Sequence, residues 1–195
     1  MGLIASGGLA VVVLDTLAAS ADDDSLALLL GAVAAGALRT QLRRDARRWA
    51  AATAGADGPG AFEASSAAAA LAALSAHTGP VAFVAPDVPG LDAALTQALL
   101  SDLDDGVGVA FGPTYDASPY LLATPTPDPE LLALAAGHRD ELFAAVAERG
   151  ITIGLLRSQR RLAGAADARA LAADPATPLE LGALLAAGLD VRARR

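Results

Sequence analysis

The sequence predicts an α/β domain in which a mainly parallel central sheet is flanked by helices. The chain has 195 residues, of which 54% are hydrophobic, so it is long enough to bury one sizeable core. Two continuous apolar runs of strand length, Pro80–Ala85 and Gly106–Phe111, are separated by the helix-length segment Leu91–Leu103. Such alternation is typical of a parallel sheet with helical crossovers. Because no internal repeat or long linker interrupts the chain, residues 1–195 are predicted to form a single domain.

The first half of the chain is rich in Ala and Leu, which makes helices and strands harder to tell apart. Residues 7–20 fit a helix, although Val11–Val13 could equally lie in a buried strand. Ser25–Val33 is predicted to be a short buried strand, with a helix as the open alternative. Helices are predicted at Leu38–Ala52, which carries several arginines, and at Ala67–Ala76.

The second half of the chain shows a clearer alternation of elements. After the strand Gly106–Phe111, the segment Gly112–Pro119 is predicted to be a loop. The remaining predicted elements are, in chain order, the strand Tyr120–Ala123, the helices Pro129–Ala136 and Arg139–Arg149, the strand Ile151–Leu156, and the helices Ala165–Ala173 and Pro178–Ala187.

The composition excludes several kinds of chemistry. The chain contains 51 Ala but neither Lys nor Asn, so all 14 basic residues are Arg, and we infer a bacterial gene of high G+C content. Without Lys there is no Schiff base and no Walker lysine. Without Cys there is no thiol nucleophile and no cysteine zinc site. The net charge of −8 argues against a nucleic-acid partner, which requires a basic surface.

No membrane span is predicted from the sequence. The apolar runs Met1–Leu14 and Leu26–Leu38 are shorter than the roughly 20 residues that a spanning helix needs. No basic residue precedes the first run, as one would in a signal peptide, so a cytoplasmic location is expected. Arg39, Arg43 and Arg47 share one helix face, for which a solvated surface is favoured over a phosphate- or membrane-binding patch.

Two aspartates follow predicted strands, at the place where open α/β sheets bind their ligands. Asp87 follows the strand Pro80–Ala85 and lies between Pro86 and Pro89, while Asp116 lies in the next loop of this kind. If the two strands are neighbours, both carboxylates face one cleft, and such hard oxygen ligands suit Mg²⁺ or Mn²⁺ bridging to phosphates. The alternative, which spacing alone favours, is that both aspartates only cap turns or helices.

These two segments carry a resemblance to a known family. The run VAFVAPDVPGL resembles the strand–Gly–x–Asp–x–Pro–x–Leu signature of the radical-SAM/selenodomain-associated transferases, small bacterial glycosyltransferases with a GT-A-like nucleotide-diphospho-sugar transferase fold. The run VAFGPTYDASPYLLA is similar to that family's Val–x–Gly–Pro–x–x–Asp–Gly–Gly–Tyr–Tyr–Leu–Leu segment. The resemblance covers Gly79–Leu185 and implies a three-layer sandwich. Phospholactate guanylyltransferases and molybdenum-cofactor nucleotidyltransferases share this architecture and form the nearest rival class.

The resemblance implies a function and a role for four residues. Asp87 would hold a divalent metal, Mg or Mn, on the donor diphosphate. Asp116 would be the acceptor-side catalytic carboxylate and a second metal ligand, and Tyr120 and Pro89 would contact the substrate. The implied activity is glycosyl transfer from a nucleotide-diphospho-sugar, so the expected ligand is a nucleotide sugar or another nucleotide.

Two departures from the family pattern keep other functions open. The family's Gly-Gly pair is Ala117-Ser118 in this chain, and its N-terminal phosphate loop carries lysines that this chain lacks. The run GLAVVVLDTLAAS resembles the helix that follows that loop, so the first strand and the loop are expected to be missing. The first alternative is a non-catalytic relative acting as a binding or assembly module. The second is a nucleotidyltransferase of the phospholactate type, which the absent lysines disfavour.

Overall fold

The computed structural model describes residues 8–18, 22–54, 59–137 and 139–193. Within these residues one sheet contains all the strands, which are β1 (Ala10–Leu14), β2 (Ala61–Ala64), β3 (Val81–Val84), β4 (Val109–Pro113), β5 (Pro119–Thr124) and β6 (Ile153–Leu155). The helices that flank it are α1 (Asp23–Leu30), α2 (Ala32–Ala54), α3 (Ala67–Ala73), α4 (Ala93–Asp104), α5 (Pro129–Gly137), α6 (Arg139–Glu148), α7 (Ala165–Ala173) and α8 (Leu179–Ala193). A short 3₁₀ helix, Asp15–Leu17, follows β1.

The strand order is β2-β1-β3-β5-β4-β6, and one strand is reversed. The strand β1 pairs in parallel with both β2 and β3, and β4 pairs in parallel with β6. The strand β5 runs antiparallel to its neighbours β3 and β4. The predicted fold class, a mainly parallel α/β sheet flanked by helices, is therefore confirmed.

The sheet is covered on both faces, and its strand sequences reflect this. Every residue of β1 (AVVVL) and of β3 (VAFV) is buried. A parallel strand buried on both faces has a continuous apolar sequence, and β-branched Val favours the extended backbone. The resemblance of GLAVVVLDTLAAS to a helix was misleading, because this segment supplies β1. Of the two alternatives for residues 7–20, the buried strand containing Val11–Val13 is the right one.

The segment Ser25–Val33, predicted to be a short strand with a helix as the alternative, is helical. The helix α1 begins at Asp23, and Asp22 caps it by accepting a hydrogen bond from Ser25 N at 3.0 Å. The helix ends at Gly31, whose φ of +86° suits glycine, and α2 starts immediately afterwards. An Ala/Leu-rich sequence fits both a buried strand and a helix. Here the Asp22 cap and Gly31 favour the helix, because they satisfy its two ends.

The buried side chains form two hydrophobic clusters. The larger one surrounds the sheet and includes Phe83, Phe111 and Tyr120. The smaller one joins α1, α2, α7 and α8, and its fully buried leucines include Leu26, Leu38 and Leu185. Among the described residues no single helix is both long and apolar enough to cross a membrane; α1 and α2 meet the combined requirement of length and hydropathy only together, across a bend of 117°.

Candidate functional site

The carboxyl ends of five strands meet at one edge of the sheet, because all strands except β5 point the same way. The loops at this edge carry Asp15 after β1, Asp87 after β3, Asp116 between β4 and β5, and Arg161 after β6. Open α/β sheets bind ligands at this place. The topology therefore brings both predicted aspartates to the same edge.

Asp87 is buried and paired with an arginine that sequence reasoning did not identify. Asp87 is 5% exposed and Arg161 is 7% exposed, and Arg161 Nε lies 3.5 Å from Asp87 Oδ2. The other end of the guanidinium donates hydrogen bonds to Leu17 O at 2.8 Å, Pro119 O at 3.3 Å and Ser118 Oγ at 3.1 Å. Arg161 therefore ties together the ends of β1, β3 and β5.

Asp116 is exposed and held by its own turn. Its Oδ1 accepts hydrogen bonds from Ser118 N at 3.0 Å, from Ser118 Oγ at 2.6 Å and from Thr114 Oγ1. Burial raises the pKa of Asp116, but the bonds from Ser118 and Thr114, with the charge of Arg161, outweigh it and lower the pKa to about 2. A carboxylate with so low a pKa is a weak base, so it is poorly suited to deprotonate a hydroxyl near neutral pH.

A guanidinium lies between the two predicted metal ligands. Asp87 contacts Arg161 directly, and Asp116 reaches it through the hydroxyl of Ser118. A divalent cation placed between the carboxylates would face this buried positive charge at short range, which is strongly unfavourable. Within the described ranges no three His, Asp or Glu side chains are grouped to hold a metal ion. Asp87 and Asp116, with Arg161 between them, do not fit Mg²⁺ or Mn²⁺ as a shared ion.

Tyr120 belongs to the core and has no face open to a substrate. Its side chain is fully buried and its hydroxyl donates to Arg157 O at 3.0 Å. Burial raises the pKa of Tyr120 to about 12. The ring packs on Gly112, where a Cβ would lie 2.7 Å from Tyr120 Cζ, so glycine is required there. The structure therefore gives Tyr120 a packing role instead of the expected substrate contact.

Pro89 does line open space, since it borders two neighbouring cavities at this edge. Contact between Pro89 and a substrate stays a prediction.

The cavity between the ends of β1 and β3 has a volume of about 350 Å³ and is called here the β1–β3 cavity. Its charged lining residues are Asp15, Asp23, Asp87, Arg39 and Arg43. Both arginines are already paired, Arg39 with Asp23 at 2.7 Å and Arg43 with Asp15 at 2.6 Å. Asp87 is paired with Arg161, so each charged lining residue has a partner of opposite sign and neither lining arginine is left to bind a diphosphate without giving up its ion pair.

The predicted arginine face of α2 exists, and it is neutralised by carboxylates from neighbouring elements. Arg43 and Arg47 both reach Glu63 at the end of β2. Arg39 also donates to Leu162 O at 2.6 Å and to Ala163 O at 3.1 Å. This face therefore fastens α2 to the edge of the sheet and to the segment after β6.

Arg161 was missed because nothing in its local spacing distinguishes it. The segment RSQRRLAG contains three arginines, at 157, 160 and 161, and only the fold separates the buried one from the others. One signal was available, since these residues follow a predicted strand and therefore had to lie at the ligand-binding edge.

Comparison with known proteins shows a shared fold but no matching family. No family model and no curated protein matches this sequence. Among solved structures, a "putative nucleotide-diphospho-sugar transferase" from Desulfovibrio desulfuricans G20 is similar, with a TM-score of 0.63 and 16% sequence identity over 81% of this chain and 83% of that one. At this identity the likeness establishes that the two chains share a fold, and it carries no further assignment.

Proposed function

We propose that this chain is a non-catalytic relative of the nucleotide-diphospho-sugar transferases that acts as a small-molecule-binding module. The observation that carries the proposal is the position of Arg161, whose guanidinium lies between Asp87 and the turn that holds Asp116. The shared fold supports the relationship, and the chemistry of the carboxyl edge supports the loss of catalysis.

Metal-assisted transfer would need a Lewis acid on the leaving diphosphate. Asp87 is 5% exposed and ion-paired, so offering it to a metal would require breaking a buried pair, which typically costs about 3–5 kcal/mol. Arg161 cannot replace the metal as a phosphate ligand, because it is 7% exposed and donates to backbone carbonyls. The two arginines of the β1–β3 cavity are already paired with Asp15 and Asp23, which adds a further barrier to a diphosphate.

The second candidate is an active glycosyltransferase that uses a nucleotide-diphospho-sugar. The shared fold favours it, as does the exposure of Asp116 at the expected edge. In this case Asp87 would exchange Arg161 for a metal when donor and metal bind together. The experiment described next distinguishes this candidate from the non-catalytic one.

The test is a titration of the protein with UDP-glucose and GDP-mannose, in EDTA and in Mn²⁺, followed by NMR detection of released nucleotide. We expect weak binding, in the millimolar range or absent, that Mn²⁺ does not change, and no nucleotide release above a protein-free control. Mn²⁺-dependent nucleotide release that Asp116→Asn abolishes would overturn the non-catalytic assignment. Asp116→Asn is the chosen variant because its side chain is exposed, so its loss leaves the core intact.

A further inference from the structure

A second cavity lies at the same edge, between the loop after β3 and the segment after β6, and is called here the Arg160 cavity. Its volume is about 280 Å³. It is enclosed by the loop 89–92 after β3, by Tyr115 from the β4–β5 turn, by the segment 157–160 after β6 and by the α7–α8 loop at 174–178. None of the predicted catalytic or metal-binding aspartates lines it.

Arg160 differs in one respect from the arginines described above. Its Cζ lies 4.9 Å from the ring centroid of Tyr115, in a cation–π contact, and no carboxylate of the described ranges forms an ion pair with it. The neighbouring Arg157 is paired with Asp92 at 2.7 Å. In a chain of net charge −8, Arg160 is therefore an available cation in a concave site.

The walls of this cavity are held by hydrogen bonds, so the site is formed before any ligand arrives. Gln159 donates from its backbone to Pro113 O at 3.0 Å and from its side chain to Gly90 O at 3.0 Å. Tyr115 N donates to Gln159 O at 3.2 Å, which fixes the tyrosine backbone against this segment. On the opposite wall, Asp174 Oδ1 accepts from Ala176 N at 2.9 Å. A preformed site loses less entropy when it binds.

We propose that the Arg160 cavity binds a monosaccharide-sized ligand that carries a single anionic group, a carboxylate or a phosphate. The guanidinium of Arg160 matches such a group with two parallel hydrogen bonds. The ring of Tyr115, 66% exposed, offers a flat face for the apolar side of a sugar ring. The volume is close to the lower end of ligand sites, about 300 Å³, which suits a ligand of monosaccharide size.

The charges of the lining favour one anionic group over several. Arg157 is paired with Asp92, whereas Arg160 has no ion pair with a carboxylate of the described ranges, so the lining offers one cation to one anionic group. The carboxylate of Asp174 can instead accept a hydrogen bond from a sugar hydroxyl. This inference rests on the proposed binding function and gives that function a ligand class.

The experiment is an NMR or calorimetric titration near neutral pH with glucuronate, glucose 6-phosphate, inorganic phosphate and uncharged glucose. We expect glucuronate or glucose 6-phosphate to bind, and the tighter of the two identifies the anionic group. Arg160→Gln should weaken binding by about tenfold or more, because the charge-assisted hydrogen bonds of the guanidinium are lost. Arg44→Gln is the matched control, because Arg44 is exposed on α2 and lines neither cavity. Asp174→Asn should tighten binding if the ligand is an anion.

Several results would overturn this inference. They are the absence of binding by both sugar anions at millimolar concentration, equal affinity of the wild type and Arg160→Gln, and binding of inorganic phosphate as tight as that of glucose 6-phosphate. The proposed function fails separately, through Mn²⁺-dependent turnover of a nucleotide sugar. Each failure is therefore visible without the other.

Discussion

Asp87 and Asp116 lie on either side of the same guanidinium, and their environments differ in burial and in partner. Asp87 is 5% exposed and meets Arg161 directly, in a pair that joins three strand ends. Asp116 is exposed and takes its hydrogen bonds from Ser118 and Thr114, within its own turn. The first carboxylate holds distant parts of the chain together, whereas the second organises five residues of a hairpin.

This contrast shows why two aspartates at the right edge of the right fold do not make a metal site. A metal ligand must be able to coordinate the ion through its oxygens. A buried carboxylate that neutralises a buried arginine can do so only at a large cost in free energy, because the ion pair must first be broken. The Oδ1 of Asp116 already accepts three hydrogen bonds, so binding a metal through this oxygen would disturb the turn that these bonds hold. Position in the fold identifies candidates, and the partner of each carboxylate decides its role.

The largest effect should come from removing the partner of Asp87. Arg161→Met removes the arginine that pairs with a buried carboxylate and the donor of hydrogen bonds to three oxygen acceptors. We expect the free energy of unfolding, measured with urea, to fall by about 3–5 kcal/mol.

The control for this prediction is the double variant Asp87→Leu with Arg161→Met. Replacing both members of a buried pair by apolar residues removes the uncompensated charge, so it should recover much of the loss. A loss below about 1 kcal/mol in the single variant would contradict a structural role for the pair, since that is the range of surface pairs.

The next effect concerns the backbone of the Asp116 turn. Ala117 has a φ of +62°, in the left-handed region that favours glycine. Ala117→Gly should relieve this strain and stabilise the protein by roughly 0.5–1 kcal/mol in the same urea measurement.

Ala144→Gly provides the comparison of opposite sign. Ala144 is exposed in α6, where glycine is unfavourable, so this change should destabilise by roughly 0.5–1 kcal/mol. If Ala117→Gly destabilised as much as Ala144→Gly, the turn would not have the conformation described.

A smaller effect is expected from the ionisation of Asp116. Its pKa is lowered from 3.8 to about 2 in the folded state, so its contribution to stability is present above the unfolded pKa and is lost as the pH falls through the folded pKa. Because the side chain is exposed, solvent screening reduces this contribution to about 1 kcal/mol or less.

The measurement compares the urea stability of the wild type and Asp116→Asn as the pH is lowered. The difference between them should be constant near neutral pH and should shrink between about pH 4 and about pH 2. A difference that does not change over this range would mean that Asp116 is not held in its ionised form.

The smallest effect is expected on the arginine face of α2. Arg43 pairs with Asp15 and Glu63, but all three side chains are partly exposed, so Arg43→Gln should cost about 0.2–1 kcal/mol. A thermal unfolding scan at low and at high salt checks this, because screening should remove most of the wild-type advantage. A cost that persists in high salt would place this pair in the same class as Asp87 and Arg161.

The sequence predicted most of the second half of the chain. The strands β3, β4, β5 and β6 and the helices between them lie close to their predicted positions, because apolar runs of strand length alternate there with Pro and Gly signals. Two elements of the first half were harder to predict from the sequence, the helix Asp23–Leu30 and the strand Ala10–Leu14. Runs of Ala, Leu and Val fit either a helix or a strand, so tertiary packing determines which of them forms.

The candidate site was predicted only as far as its edge. The prediction was conditional on the two strands being neighbours, but β5 lies between β3 and β4. Both aspartates reach the same edge because β3 and β4 are each antiparallel to β5 and so point the same way. The pairing with Arg161 could not be predicted, since it joins residues 74 positions apart and depends on where the segment after β6 crosses the loop after β3. The burial of Tyr120 could not be predicted either, because it depends on the pairing of β4 with β5. Its ring fills the space that Gly112 leaves on the adjacent strand.

The most direct test of the central claim is to observe the Arg161 side chain itself. In a ¹⁵N-arginine-labelled protein, the Nε–H signal of Arg161, assigned with Arg161→Met, is recorded while Mn²⁺ is added together with UDP-glucose. If the guanidinium occupies the place between the carboxylates, the signal should stay unbroadened at stoichiometric Mn²⁺. Selective loss of this signal at stoichiometric Mn²⁺, with other arginine signals unaffected, would put the metal beside Asp87 and contradict the account.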